Sequence, residues 1–222
     1  MIQQVTIGGR TYSISETLCS AELAPIFEDA WTSSRVWEAS RFLAERLTVF
    51  ASTLVANFNV CAGKSVLELG SGCGLVGLVA ASLGANVLLT DQAQALELLK
   101  RNIQANVKSE NERERLHVAE YIWGSEQALP HNCFDYILVS DCINPIYGRE
   151  SWRNLANSIC KFSNCKTTTY LAHEARGDDE AMTDFLAFSA DMLQCKQIDR
   201  QDGYFFVDFG YHVKCYYPSS GC

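Results

Sequence analysis

Residues Ser65 to Asp91 read SVLELGSGCGLVGLVAASLGANVLLTD, and the fold turns on them. A short apolar run, broken only by Glu68, leads into a cluster of glycines. A helical stretch beginning near Cys73 follows and closes at Gly84, and a second β-type run, NVLLTD, ends on Asp91. Strand, glycine turn, helix and strand in this order open a parallel α/β sheet, in which ligands bind beyond the carboxyl ends of the strands. A glycine turn lets the main chain approach a ligand closely, and the helix after it offers free N–H groups.

Two ligand classes fit such a loop. Gly72, Gly74 and Gly77 match G-x-G-x-x-G, the dinucleotide fingerprint. The same stretch is also an acid followed by a tighter cluster, Glu68-Leu69-Gly70-Ser71-Gly72-Cys73-Gly74, which suits S-adenosylmethionine. Asp91 is placed to accept both hydroxyls of a ribose and serves either ligand. Glu68 discriminates: a carboxylate beside a pyrophosphate repels it, whereas a sulfonium and an α-ammonium are attracted. The structural alternative is that Glu68 pairs with a lysine or caps a helix.

Strand and helix alternate onward from this unit. QAQALELLKRNIQANV is a helix, RLHVAEY a third strand, FDYILVSD a fourth, SWRNLANSICKF a helix, TTTYLAHE a fifth strand and DDEAMTDFLAFSADML a helix. CKQIDRQ and YFFVDFGYHVKCYY read as two long strands around Asp202-Gly203, an antiparallel closing hairpin. Upstream, QVTIGGRTYSI carries a hairpin signal at Gly8-Gly9. Residues 20–56 read as helical, with Val36, Ala39, Leu43, Leu47 and Phe50 recurring at spacings of three and four. One domain over 1–222 is expected, with the hairpin and helical segment in 1–60 and a Rossmann-like core in 61–222.

Composition bounds the function. The formal net charge is −8, and no basic run or basic-aromatic stripe occurs, so nucleic acid is not an expected partner. An acidic surface favours a cationic partner, such as a lysine-bearing protein segment, or serves solubility alone. No membrane span and no secretory leader are expected. Ten scattered cysteines form no C-x-x-C pair, which speaks against a zinc site and for reduced, mostly buried thiols in a cytoplasmic or nuclear protein. There is no G-x-S-x-G, and His117, His131, His173 and His212 form no ligand-like pair. His173, at the end of the fifth strand beside Glu174, reads as a hydrogen-bonded structural histidine.

From about residue 33 to 190 the chain resembles the seven-β-strand S-adenosylmethionine methyltransferases. More narrowly, it resembles the protein-lysine methyltransferase group typified by the valosin-containing-protein lysine methyltransferase. The matching stretches are RVWEAS, the Ser65–Asp91 unit, LLKRNIQAN, YIWG, VSDCIN and HEAR, in the same order. The resemblance implies a doubly wound, seven-stranded, mostly parallel sheet. It implies that Trp37 lies near the methionine end of the cofactor, and that Glu68, Gly70, Ser71, Gly72 and Gly74 form the cofactor loop. Asp91 then holds the ribose, Trp123 lies against adenine, and Ser140 and Asp141 reach the methyl-transfer centre. Glu174 and Arg176 are placed near the substrate mouth. The group's fourth strand ends in D-x-x-Y, whereas here Asp141-Cys142-Ile143-Asn144 is followed by Pro145-Ile146-Tyr147. Asn144 keeps hydrogen bonding without the ring, and Tyr147 is a candidate for the missing aromatic wall.

The function implied is methyl transfer from S-adenosylmethionine to a lysine of a protein substrate, by a monomer and without a metal, leaving S-adenosylhomocysteine. Two alternatives stand beside it: a small-molecule N- or O-methyltransferase on the same fold, and a nicotinamide oxidoreductase or silent binding module.

Overall fold

The computed structural model describes residues 2–17, 32–52, 62–175, 180–194, 196–201 and 204–210. Strands β1 (Ile2–Ile7) and β2 (Arg10–Ser15) form the N-terminal hairpin. Gly8 and Gly9 both have positive φ, 55° and 77°, the turn that matches the right-handed twist of paired strands. Val5, Ile7, Tyr12 and Ile14 point to one buried face.

Helix α1 (Glu38–Ser52) packs on helix α2 (Leu75–Ser82), on strand β7 (Thr168–Glu174) and on β1. Ala39, Leu43 and Leu47 form its buried stripe as the spacing predicts. The expected helical stretch over 20–56 is broken at residues 33–37, and its parts at 20–31 and 53–56 lie outside the described residues. Val36 and Trp37 precede α1, and the Trp37 carbonyl accepts the Ser40 N–H at 3.0 Å and the Ser40 hydroxyl at 2.6 Å.

The remaining elements alternate. Strand β3 (Ser65–Leu69) is followed by α2, β4 (Asn86–Asp91), α3 (Ala93–Asn106), the short α4 (Glu110–Glu114) and β5 (Leu116–Glu120). Then come β6 (Tyr136–Ser140), a 3-10 turn at Pro145–Tyr147, α5 (Arg149–Lys161), β7, α6 (Glu180–Ser189), β8 (Lys196–Gln201) and β9 (Tyr204–Gly210). The sheet order is β5-β4-β3-β6-β7-β9-β8. The first five strands are parallel, and β9 runs antiparallel to both β7 and β8. Seven strands with a closing antiparallel pair is the architecture expected. The turn at Asp202-Gly203 and residue Arg176 lie outside the described residues.

Alternation along the strands builds two cores. Val66, Leu89, Leu138 and Tyr170 face α1, α2, α3 and the N-terminal hairpin. Leu67, Leu69, Ile137, Val139 and Leu171 face α5 and α6. Both faces of the sheet are therefore covered, which is why its central strands are apolar on every residue but a few. Glu68 is one of the few. The chain winds outward from β3 through β4 to β5, then returns to the other side of β3 as β6. That reversal opens a crevice between the carboxyl ends of β3 and β6.

The hairpin is fastened to α3 by two asparagines one turn apart. The Asn106 side chain accepts from the Ser13 N–H at 2.7 Å and donates to the Ser13 carbonyl at 2.9 Å. Asn102 does the same to Ser15, at 2.8 and 3.0 Å. These amides stand in for a neighbouring strand and satisfy an edge that would otherwise be unpaired.

No helix among the described residues is long and apolar enough to cross a membrane. Of the five cysteines described, all are free thiols, but only Cys73 and Cys142 are buried, while Cys133 and Cys165 are exposed. Burial was expected for most of them. Cys133 and Cys165 sit in the loops before β6 and β7, where no apolar partner covers them.

Candidate functional site

The crevice is a cavity of about 240 Å³. Its walls are the loop after β3, the end of β4, the segment after β5, the end of β6 and the Thr32–Trp37 stretch before α1. Trp37, Glu68, Gly70, Ser71, Gly72, Gly74, Asp91, Trp123, Ser140, Asp141 and Tyr147 all line it. Asn144 does not.

The glycine loop is sewn to β4. The Ser71 N–H donates to the Thr90 carbonyl at 2.9 Å, and the Thr90 N–H donates back to the Ser71 hydroxyl at 3.0 Å. The Thr90 hydroxyl reaches the Glu68 carbonyl at 2.7 Å. Gly70 takes φ 69°, a left-handed conformation that side chains resist. A Cβ there would also stand 2.7 Å from Cys142 Sγ and 2.8 Å from the Trp123 ring. The Trp123 indole therefore lies directly across bare main chain, a flat, half-buried surface within the cavity.

Asp91 closes the loop. Its Oδ2 accepts the Gly72 N–H at 2.7 Å, and its Oδ1 accepts the Gln92 N–H at 2.8 Å. Ser33 Oγ makes a long contact to Oδ1 at 3.4 Å. A carboxylate offers about four acceptor positions, so two firm bonds and one weak one leave capacity for a diol. Burial pushes the Asp91 carboxyl upward, and the N–H groups of Gly72 and Gln92 oppose that shift.

Glu68 lines the cavity and also serves the helix that follows the loop. It is 2% exposed, and its Oε2 accepts the N–H of Gly77, in the first turn of α2, at 3.1 Å. The helix-capping alternative is what the geometry shows: the carboxyl satisfies one of the free N–H groups at a helix start. Burial raises its pKa to about 8, against the opposing hydrogen bonds of Ser71 and Gly77. Gly77 is explained by the same contact. A Cβ there would sit 2.6 Å from Glu68 Oε2 and 2.6 Å from Leu89 Cδ2. The third glycine of the apparent dinucleotide fingerprint makes room for an acid, not for a phosphate.

The fourth strand ends in strain. Asp141 is the one non-glycine with positive φ, 57°, among the described residues. Its N–H extends the ladder to the Ala172 carbonyl at 2.9 Å, and its side chain is buried within the cavity wall. Strained backbone of this kind concentrates at functional sites. Asn144 stands outside the lining: its Oδ1 accepts the Ile146 N–H at 3.1 Å and starts the Pro145–Tyr147 turn. That turn delivers Tyr147 instead. The Tyr147 ring meets Trp123 edge-on, with centroids 6.5 Å apart, and burial drives its phenol pKa upward. Tyr147, three residues after Asn144, lines the cavity.

Sequence reasoning missed several contributors. Ser33 reaches Asp91, and its carbonyl accepts from Cys73 Sγ at 3.5 Å. The Cys142 thiol wedges under the glycine loop, donating to the Leu69 carbonyl at 3.5 Å. Asn102 donates to the Cys73 carbonyl at 3.0 Å while holding Ser15, so it ties the N-terminal hairpin to the glycine loop. Its only sequence signal is a pair of asparagines four apart on the buried face of RNIQAN. Trp37 donates Nε1–H to the Thr32 carbonyl at 2.9 Å, and Arg35 stands 5.4 Å over its ring. His173 differs from expectation, because its buried Nδ1 has no hydrogen-bond partner.

Comparison with known proteins bears on this arrangement. A family model described as lysine methyltransferase matches residues 26–190. Protein N-lysine methyltransferase METTL21A of Danio rerio is 38% identical over 115 residues, 51% of this chain and 51% of that protein. EEF1A lysine methyltransferase 3 of Mus musculus is 33% identical over 153 residues, covering 69% of this chain and 60% of that protein. The chain thus matches only about half to three fifths of the length of these relatives. Among solved structures, a Thermus thermophilus 16S rRNA N2 G1207 methyltransferase, in complex with AdoMet and guanosine, aligns with a TM-score of 0.65 at 17% identity. It covers 95% of this chain and 50% of that one. The glycopeptide N-methyltransferase MtfA, complexed with sinefungin, aligns at 0.58 and 11% identity, covering 78% of this chain and 93% of that one. At such identities these two speak for the fold alone.

Proposed function

Because the chain belongs to the lysine methyltransferase family, we propose that its cavity binds S-adenosylmethionine and that the protein transfers the methyl group to a lysine of a protein substrate, leaving S-adenosylhomocysteine. One observation carries the reading. Glu68, Asp91 and Asp141 converge on a single cavity whose lining, among the described residues, holds one basic residue, the exposed Arg35. That balance suits a ligand with a sulfonium and an ammonium and no phosphate. It does not suit a pyrophosphate.

Each wall then has a task. Asp91 accepts from the ribose diol with the acceptor capacity left beyond Gly72 and Gln92. Trp123, beside Gly70, offers a surface for adenine. Bound S-adenosylmethionine supplies an electrophilic methyl group on a sulfonium. The lysine ammonium first loses its proton to solvent; its lone pair then forms the new N–C bond as the C–S bond breaks and that electron pair returns to sulfur, leaving a methylated ammonium. This requires a neutral amine, and a lysine with pKa near 10.4 is neutral in roughly one copy in a thousand at pH 7.4, a deficit of about 4 kcal/mol. Desolvation beneath Trp37, Trp123 and Tyr147 disfavours the ammonium form. Asp141 orients the amine by accepting its hydrogen, and its left-handed backbone aims the carboxylate inward from the strand end.

The test uses Asp141→Asn. Loss of a charge-assisted acceptor should lower turnover about ten- to a hundredfold, with cofactor affinity by isothermal titration almost unchanged. Turnover is read as radiolabelled methyl entering protein in a methylation-depleted cell extract. Label confined to small molecules would replace the lysine assignment by a small-molecule substrate, and binding of NAD in preference to S-adenosylmethionine would overturn the cofactor.

A further inference from the structure

We propose that His173 is a positioning residue for Asp141, its Nδ1–H closing on Asp141 Oδ1 to set the plane of the carboxylate that receives the target amine. The inference rests on the reading of Asp141 given above. It starts from two anomalies on neighbouring strands. Asp141 leaves β6 with φ 57°, a conformation unfavourable for any residue with a side chain. His173 lies on β7, one residue beyond Ala172, which pairs with Ser140. Its Nδ1 is buried without a hydrogen-bond partner, and an atom left so destabilises the fold.

The two anomalies face each other. His173 Nδ1 stands 3.5 Å from Asp141 Oδ1, with the residues 5% and 6% exposed. That separation is just too long for a good hydrogen bond. Catalytic hydrogen bonds are often long in ligand-free structures and tighten when the reactants bind. A closure of about half an ångström satisfies the imidazole and pins one carboxylate oxygen. The ladder bond from the Asp141 N–H to the Ala172 carbonyl ties the two strand ends together, so the residues move as a unit. A histidine kept only for packing would not need its polar edge turned to the Asp141 carboxylate in the cavity wall.

Two variants separate positioning from packing. Asparagine places its amide nitrogen close to where Nδ1 stands; glutamine reaches instead toward the position of Nε2. Both are polar and of moderate size. His173→Asn should transfer labelled methyl into protein of a methylation-depleted extract at a rate within a few-fold of wild type, per folded molecule. His173→Gln should be slower by ten- to a hundredfold at saturating S-adenosylmethionine, with an unchanged KM for that cofactor and unchanged affinity by isothermal titration. Glutamine at the wild-type rate, or asparagine as slow as glutamine, would overturn the role of His173. A wild-type protein that binds the cofactor but labels no protein would instead remove the lysine reading beneath it.

Discussion

Replacing Glu68 by Gln should make the protein more stable at neutral pH and no more stable in acid. The carboxyl is buried, its oxygen serves the Gly77 N–H, and its pKa stands at about 8, against about 4.3 in an unfolded chain. A carboxyl raised on folding contributes stability that is complete below the unfolded value and is lost as pH climbs through the folded one. Between those limits the wild-type protein loses about 1.4 kcal/mol per pH unit. Integrated, the loss is about 1 kcal/mol at pH 5 and roughly 3–4 kcal/mol at pH 7. Glutamine keeps an acceptor for Gly77 and carries no charge, so the variant lacks this dependence. For a chain of this size the gap in Tm between variant and wild type should widen by roughly 5–10 °C between pH 5 and pH 7. Thermal melts of both proteins across that range measure it. A cation bound beside Glu68 favours the ionised form, so S-adenosylmethionine should bind wild type with proton release and more tightly as pH rises from 6 to 9. Binding to the variant should be flat. Parallel stability curves for the two proteins would refute the claim that burial dominates this carboxyl.

Three further substitutions probe the same loop. Asp91→Ala strands the N–H groups of Gly72 and Gln92 and should weaken S-adenosylmethionine binding by about 3 kcal/mol, near a hundredfold, in isothermal titration. Gly77→Ala drives a methyl into Glu68 and Leu89 and should destabilise by about 1–3 kcal/mol in urea melts, even though alanine is the better helix former. Asn102→Leu removes the ties to Ser15 and Cys73; it should cost about 2–4 kcal/mol of stability and weaken cofactor binding beyond what the unfolded fraction explains.

The sheet was legible because its signals are local. An apolar strand, a glycine turn, a helix and another strand can be read within thirty residues, and their repetition implies a parallel sheet with a crevice where the winding reverses. Asp91 and Asp141 could be named because each ends a strand at the carboxyl edge, where the backbone alone dictates the side of the sheet. Trp37, Trp123 and Ser140 were named through resemblance, and all three stand in the cavity. What pattern could not supply were pairings between distant segments. Glu68 and Gly77 are nine residues apart on different elements, and only helix packing on the sheet brings the carboxyl onto the helix start. Asn102 was invisible as a support because its partners, Ser15 and Cys73, lie 87 and 29 residues away.

The end of the fourth strand shows the division most clearly. From its sequence, Asp141-Cys142-Ile143-Asn144-Pro145-Ile146-Tyr147 determined that an acid ends a strand and that proline then stops regular structure. It left open which later residue enters the cavity. The tertiary structure decided that. Asn144 spends its side chain on the turn, the turn swings Tyr147 against Trp123, and the acid meets His173 from the next strand. Backbone preference is set by a residue and its neighbours, whereas the direction and partner of a buried polar group are set by whichever chain segment packs against it. The fold is therefore written in local pattern, and the division of labour among the site's side chains in contacts between segments far apart in the chain.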